Sequence, residues 1–226
     1  MEQSGHPFGK TAVATGTRGV VLAPEAAQYL KQVYSLLAIS LMVAVAGGYV
    51  GMSTPFAYEH PIVLIVAQLA VLFLAFSMRN TVTLLLFTAI SGFALGPVIA
   101  YYLNAGLSHV VGQALFLTGG VFVALSTVAM VSDRDFSTLQ GTLFAGLIVV
   151  VLGGLVNLFI QSTALSFAMS AVGAVIFSGY ILMETQQLKE NPWAEAPAYA
   201  ALSMYLNVLN LFLSLLRLLG IFGSDD

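Results

Sequence analysis

The sequence predicts an all-α integral membrane protein of seven transmembrane helices, and three observations carry that reading. Of its 226 residues 59% are hydrophobic and only 8% carry Asp, Glu, Lys or Arg, where a soluble domain is about a quarter charged because its surface must face water. The charges are also spaced so that long uncharged runs separate them. Those runs are continuously apolar, whereas barrel strands would alternate between lumen and lipid. The same composition excludes a disordered chain, which needs low hydrophobicity, and a nucleic-acid binder, which needs concentrated positive charge.

A charge at a helix centre costs roughly 2.5–3.5 kcal/mol on insertion scales, so uncharged gaps mark the spans. Gln32 to Tyr58 gives 27 residues and His60 to Met78 gives 19, one helix each; about 20 apolar residues at a 1.5 Å rise cross a core of about 30 Å. Asn80 to Ser132 gives 53, broken near Asn104-Ala105-Gly106, and Phe136 to Met183 gives 48, broken near Gln161-Ser162-Thr163. Each of those holds two helices. Ala196 to Leu216 adds 21, and beyond Arg217 the apolar run Leu218 to Phe222 continues it. The expected helices lie at 30–52, 60–78, 82–103, 108–131, 138–160, 164–186 and 199–222, with residues 1–28 a polar, mobile tail and 29–226 the membrane domain.

Lys10, Arg18 and Lys31 precede the first span, and Arg79, Arg134 and Lys189 follow the second, fourth and sixth, all on one side. The opposite loops, Ser53 to Glu59, Asn104 to Ser108 and Gln161 to Thr163, hold no Lys or Arg, and Ser224-Asp225-Asp226 lies beyond the last span. This bias predicts a cytoplasmic N-terminus and an outer C-terminus. No short apolar region with a small-residue cleavage site precedes the first helix, so the tail is read as retained.

Helices in lipid associate by close packing and interhelical hydrogen bonds, so glycines mark interfaces. Gly47 and Gly51, and Gly92 and Gly96, are spaced four apart; Gly119-Gly120, Gly153-Gly154, Gly173 and Gly179 sit inside other spans. Pro97 removes a backbone donor within the third span and predicts a kink. Tyr101-Tyr102, Trp193 and Tyr199 fall where interfacial anchoring is favoured.

Polarity is out of place in two helices. At about 100° per residue, Ser203, Asn207, Asn210, Ser214 and Arg217 of the last helix share a stripe of about 80°. That stripe faces protein or water-filled space: either Ser and Asn pair across helices while Arg217 snorkels, or the stripe lines a cavity or ion route. Glu184 lies near the cytoplasmic end of the sixth helix at a depth that matches Asn207. Arg79, at the end of the second, is a possible counter-ion, the set forming a titrating latch; an interfacial carboxylate and an ordinary positive-inside anchor are the plainer readings. In Asp133-Arg134-Asp135-Phe136-Ser137, Ser137 is expected to cap the fifth helix with the aspartates near its positive end. Asn157, deep in the fifth span, is expected to make an interhelical hydrogen bond.

Enzymatic motifs are missing. There is no cysteine, which excludes disulfides and thiolate chemistry. His6, His60 and His109 have no partner at metal-ligand spacing, and there is neither a GxSxG elbow nor a P-loop. We therefore expect no enzyme, no cofactor, no firm metal site and no nucleic-acid partner.

Arg134-Asp135-Phe136-Ser137, Gly179-Tyr180-Ile181-Leu182-Met183-Glu184-Thr185-Gln186-Gln187, Ser203-Met204-Tyr205-Leu206-Asn207 and, most specifically, Leu211-Phe212-Leu213-Ser214-Leu215-Leu216-Arg217-Leu218-Leu219-Gly220 resemble the Bax inhibitor family. The likeness covers everything after the tail. It is greatest to a bacterial branch that includes a modulator of FtsH, a membrane-bound AAA protease. The resemblance implies a central seventh helix surrounded by the other six, an inner-membrane location and a regulatory partner of that protease type. Some members are similar to pH-sensitive calcium leak channels, gated by carboxylates on helices six and seven with an arginine from helix two. On that pattern Glu184 matches the helix-six acid, Asn207 stands where the helix-seven acid would be, and Arg79 matches more loosely. Asn207 cannot ionise, so two carboxylates sharing a proton cannot form here. This weakens the implied role of calcium, which favours several oxygen ligands, while protons stay open as a partner.

Overall fold

The structure, a computed structural model, describes residues 23–223. Lys10, Arg18, His6, the rest of the expected tail before Ala23 and the terminal Ser224-Asp225-Asp226 lie outside them. The described chain is all-helical: α1 (Pro24–Ser53), α2 (Pro55–Glu59), α3 (Pro61–Met78), α4 (Thr81–Asn104), α5 (Ser108–Val131), a 3-10 turn (Ser137–Leu139) leading into α6 (Gln140–Ile160), α7 (Thr163–Glu190) and α8 (Pro197–Gly223). Among the described residues seven of these are long and apolar enough to cross a membrane; α2 is the exception.

The ends follow local chemistry. Pro24, Pro55, Pro61 and Pro197 each open a helix, a position where the missing N–H is not needed. Asn80 caps α4 by accepting from the Thr83 N–H at 2.9 Å, and Ser162 caps α7 by accepting from Leu165 at 3.3 Å. Gly106, at φ 77°, turns α4 into α5.

Three expectations shift. The first helix starts at Pro24, so residues 24–28 are helical rather than tail. The sixth span runs on to Glu190, because Lys189 is consumed inside the protein rather than in water. Ser137 does not cap the fifth span: Asp135 Oδ1 accepts from the Ser137 N–H at 2.8 Å, so the aspartate holds the turn. Hydrogen bonding from the Ser137 side chain, and then from its backbone N–H, holds the exposed Asp135 carboxyl below the usual aspartate range. Pro97 lies within α4 with the helix unbroken on both sides.

The tightest packing joins α1 to α4. A Cβ added at Gly51 would overlap the Phe93 carbonyl, one at Gly92 the Ala44 carbonyl, and one at Gly96 the Gly51 backbone. The two spaced glycine pairs thus meet each other and bring the parallel backbones into contact, which no larger residue permits. α8 packs against α1, α3, α4, α5 and α7, while α6 is set outward on α7. The implied surround of six is therefore one of five. Tyr205, Leu202, Met204 and Leu211 of α8 are wholly enclosed, with Tyr29, Val33, Leu84 and Phe87 from α1 and α4.

Candidate functional site

Gathered at one end of the bundle are the start of α1, the ends of α3 and α7, the start of α8 and the α5–α6 loop. Lys31, Arg79, Arg134 and Lys189 all lie at this basic end.

Glu184, partly buried on α7, is the focus. Its Oε2 accepts from Asn207 Nδ2 at 2.7 Å and its Oε1 from the Ser203 hydroxyl. Ser203 and Asn207 are four apart on α8, so one helical face presents both donors. Further along the same face Ser214 meets α7 at Gly173, where an added Cβ would lie 2.8 Å from its Oγ. Asn210 turns back to donate to the Leu206 carbonyl at 2.7 Å, and Arg217 is exposed. The polar stripe thus faces α7 along Ser203, Asn207 and Ser214; Asn210 and Arg217 do not join the Glu184 cluster.

Arg79 does not reach Glu184 either. It pairs with Glu195 in the α7–α8 loop at 2.7 Å, and its guanidinium lies 4.5 Å from the centroid of the Tyr199 ring. The reason is local: Arg79 ends α3 in a left-handed conformation, φ 50°. The pair is about half exposed, a setting in which an ion pair contributes about 0–1 kcal/mol. Tyr29 fastens the same loop, donating to the Glu195 carbonyl at 3.0 Å and packing its ring 5.0 Å from Trp193.

The strongest supports were not legible as such. Gln186, 2% exposed, accepts from the Phe136 N–H at 2.7 Å, donates to the Arg134 carbonyl, and donates to Glu190 at 2.8 Å. It locks the α5–α6 loop to the turn after Glu184. Lys189 donates to the carbonyls of Ala129, Met130 and Ser132 at 3.0, 3.4 and 3.2 Å, closing the negative end of α5 with a cation. Thr185, fully buried, lies 3.4 Å from the hydroxyls of both Tyr34 and Ser126. The polar run Glu184 to Gln187 was the available signal; Glu184 meets α8 residues 19 and 23 positions on, whereas the partners of Thr185 and Gln186 on α1, α5 and the α5–α6 loop lie about 50 to 150 residues away and left no spacing to read. Asn157 is a smaller correction. It accepts from the Ser162 N–H at 3.0 Å and so closes the α6–α7 turn instead of bridging two spans.

Beside Glu184, Ser203 and Gln186 lies a cavity of about 500 Å³ whose lining includes Asp135, Glu184, Glu190 and Glu195 but no Lys or Arg, with Arg79 pairing Glu195 from outside the lining. Such walls favour cations and disfavour anions. Among the described residues no three His, Asp or Glu converge closely enough to hold a metal ion. What the site supplies is one carboxylate held by an amide and a hydroxyl, opening toward the basic end.

The family described as "Inhibitor of apoptosis-promoting Bax1" matches residues 26–224. The chain is 38% identical to a membrane protein of Vibrio cholerae over 96% of this chain and 99% of that one. It is 36% identical to the modulator of FtsH protease YccA of Escherichia coli, over 87% of this chain and 91% of that one. It is also 31% identical to the Golgi anti-apoptotic protein of vaccinia virus, over 85% of each.

Proposed function

The chain belongs to the Bax inhibitor family, and from that membership we propose that it is a regulator of the bacterial inner membrane that modulates a membrane-bound AAA protease of the FtsH type by binding it. The observation that supports this most is the likeness to YccA across nearly the whole of both chains. The basic end, with Lys31, Arg79, Arg134 and Lys189, is then cytoplasmic, and the N-terminal tail precedes α1 on the side where such a protease works. The role is regulatory and not enzymatic, with the bilayer as its medium. Co-purification from native membranes tests the reading: the expected result is recovery of the protease with the tagged chain and shortened lifetimes of the protease's substrates after deletion. Absence of both overturns it.

A second reading, a pH-sensitive cation leak gated at Glu184 with Ser203 and Asn207 beside it and Ser214 further along the same face, is favoured by one observation. The cavity at Glu184 is lined by four carboxylates, of which only Glu195 is paired with an arginine, Arg79 outside the lining. Calcium flux into liposomes, measured against pH, decides it. Equal flux from wild type and Glu184→Gln removes the gate; a flux lost only in the variant supports it.

A further inference from the structure

We propose that a recess between α1, α4, α5 and α8, apart from the Glu184 cavity, is a binding site for one acyl chain of a membrane phospholipid. It measures about 440 Å³ and its walls include Gly48, Leu95, Leu115, Gly119, Val208 and Phe212. No charged residue lines it. Three hydroxyls line it, and the two deep ones are satisfied within the protein: Thr118 donates to the Ala114 carbonyl at 2.7 Å and Tyr205 to Ser91 Oγ at 3.1 Å, while the third belongs to Tyr49 at the exposed rim. Below the Tyr49 rim the walls are apolar and uncharged, so they match an uncharged hydrocarbon chain and give an ion nothing to bind.

Size separates the acyl chain from a helix of a second copy. One turn of helix about 10 Å across and 5.4 Å long occupies roughly 400 Å³, so the recess would take about a single turn. Its volume instead falls within the roughly 300–1,000 Å³ of pockets for small apolar ligands. The walls belong to the middle and far parts of membrane-crossing helices, where the surrounding medium is hydrocarbon. An empty recess there would forfeit the dispersion contacts of its lining. Tyr49, also along the recess and 71% exposed near the far end of α1, places a phenol where the headgroup region begins.

The inner wall comes from Tyr205, Val208, Leu209 and Phe212 of α8. At about 100° per residue these lie on the side of the helix opposite Ser203, Asn207 and Ser214. α8 thus carries the Glu184 contact on one side and the lipid seat on the other.

The test uses full-length protein in phosphatidylethanolamine vesicles doped with a phospholipid bearing a photoreactive diazirine on its acyl chain, with adducts located by peptide mapping. Adducts are expected around Leu115 and Gly119 in excess over Phe144 and Phe159 of α6, which are 59% and 88% exposed. Gly119→Leu fills the recess and is expected to reduce those adducts at least tenfold. Gly120→Leu serves as the control and is expected to stay within twofold of wild type: an added Cβ meets nothing within 4 Å at either glycine, and Gly120 is not in the lining. Equal labelling of the recess and α6, no effect of Gly119→Leu, or chain-to-chain crosslinks at Leu115 in place of lipid adducts overturns the proposal. If Gly119→Leu fails to insert, the wild-type ratio and Leu115→Trp decide in its place.

Discussion

Replacing Asn207 by leucine removes the amide that donates to Glu184 Oε2 at 2.7 Å while keeping the size of the side chain close to constant. A hydrogen bond to a charged group contributes about 1.5–3 kcal/mol, and an acceptor left buried without its donor carries the full desolvation cost. Asn207 is 7% exposed, so water cannot readily replace the amide, and the loss is expected at about 2–3 kcal/mol. In a Glu184→Gln background the partner is neutral, and the same change is expected to cost about 1 kcal/mol. The coupling between the two positions is therefore about 1–2 kcal/mol, within the range for contacting residues in one network. Equilibrium unfolding of the four proteins in lipid-detergent bicelles closes the double-mutant cycle. Equal cost of Asn207→Leu in both backgrounds, within about 0.5 kcal/mol, refutes the reasoning that the amide acts on the carboxylate.

Gly92→Leu drives a side chain into the Ala44 carbonyl and is expected to destabilise by about 3 kcal/mol or more, beyond ordinary overpacking, because backbone cannot move aside; thermal unfolding in bicelles beside Gly120→Leu checks it. Lys189→Met leaves three carbonyls at the end of α5 without their donor and is expected to cost about 2–3 kcal/mol, with faster amide exchange confined to the last turn of α5. Arg79→Ala breaks a half-exposed pair and is expected to cost under about 1 kcal/mol; a larger loss would show that the α7–α8 loop depends on it. Asp135 has its folded carboxyl pKa depressed by the Ser137 hydrogen bonds, so the turn's stabilisation is full above the ordinary aspartate range and is lost as pH falls through the depressed value. Carbon-detected NMR of the Asp135 carboxyl in micelles should give a midpoint below 3.8, and a midpoint at or above it contradicts the cap.

The spans were legible because charge is so costly in hydrocarbon that each gap between charged residues counts a helix; the breaks at Asn104-Ala105-Gly106 and Gln161-Ser162-Thr163 fall where α4 and α6 end. The facing of α8 was legible too, since a polar stripe cannot turn to lipid. Partners were harder. Arg79 was offered as a counter-ion to Glu184 from its place at the end of the second span and from the family pattern, but it ends α3 in a left-handed conformation and pairs with Glu195, and backbone conformation of that kind leaves no trace in spacing. Gln186 reads as one polar residue among several, because the backbone groups it binds belong to the α5–α6 loop and have no side-chain identity to recognise. Asn157 sits in the last turn of α6, whose end at Ile160 was expected, and its side chain is taken by the Ser162 N–H of the following turn, a backbone partner that spacing does not reveal.

The position of α8 has a consequence for biosynthesis. It is made after the other six spans, yet it touches five of them and supplies much of the enclosed interior. The clasp between α1 and α4 needs nothing made later and can form while the ribosome is still working. Everything that meets along α8 must wait. Until that segment leaves the translocon, Tyr29, Phe87 and Glu184 lack their final neighbours, so a stalled chain presents to the cell's quality control an intact front half around an open slot. For this fold, closure of the interior waits on the arrival of α8.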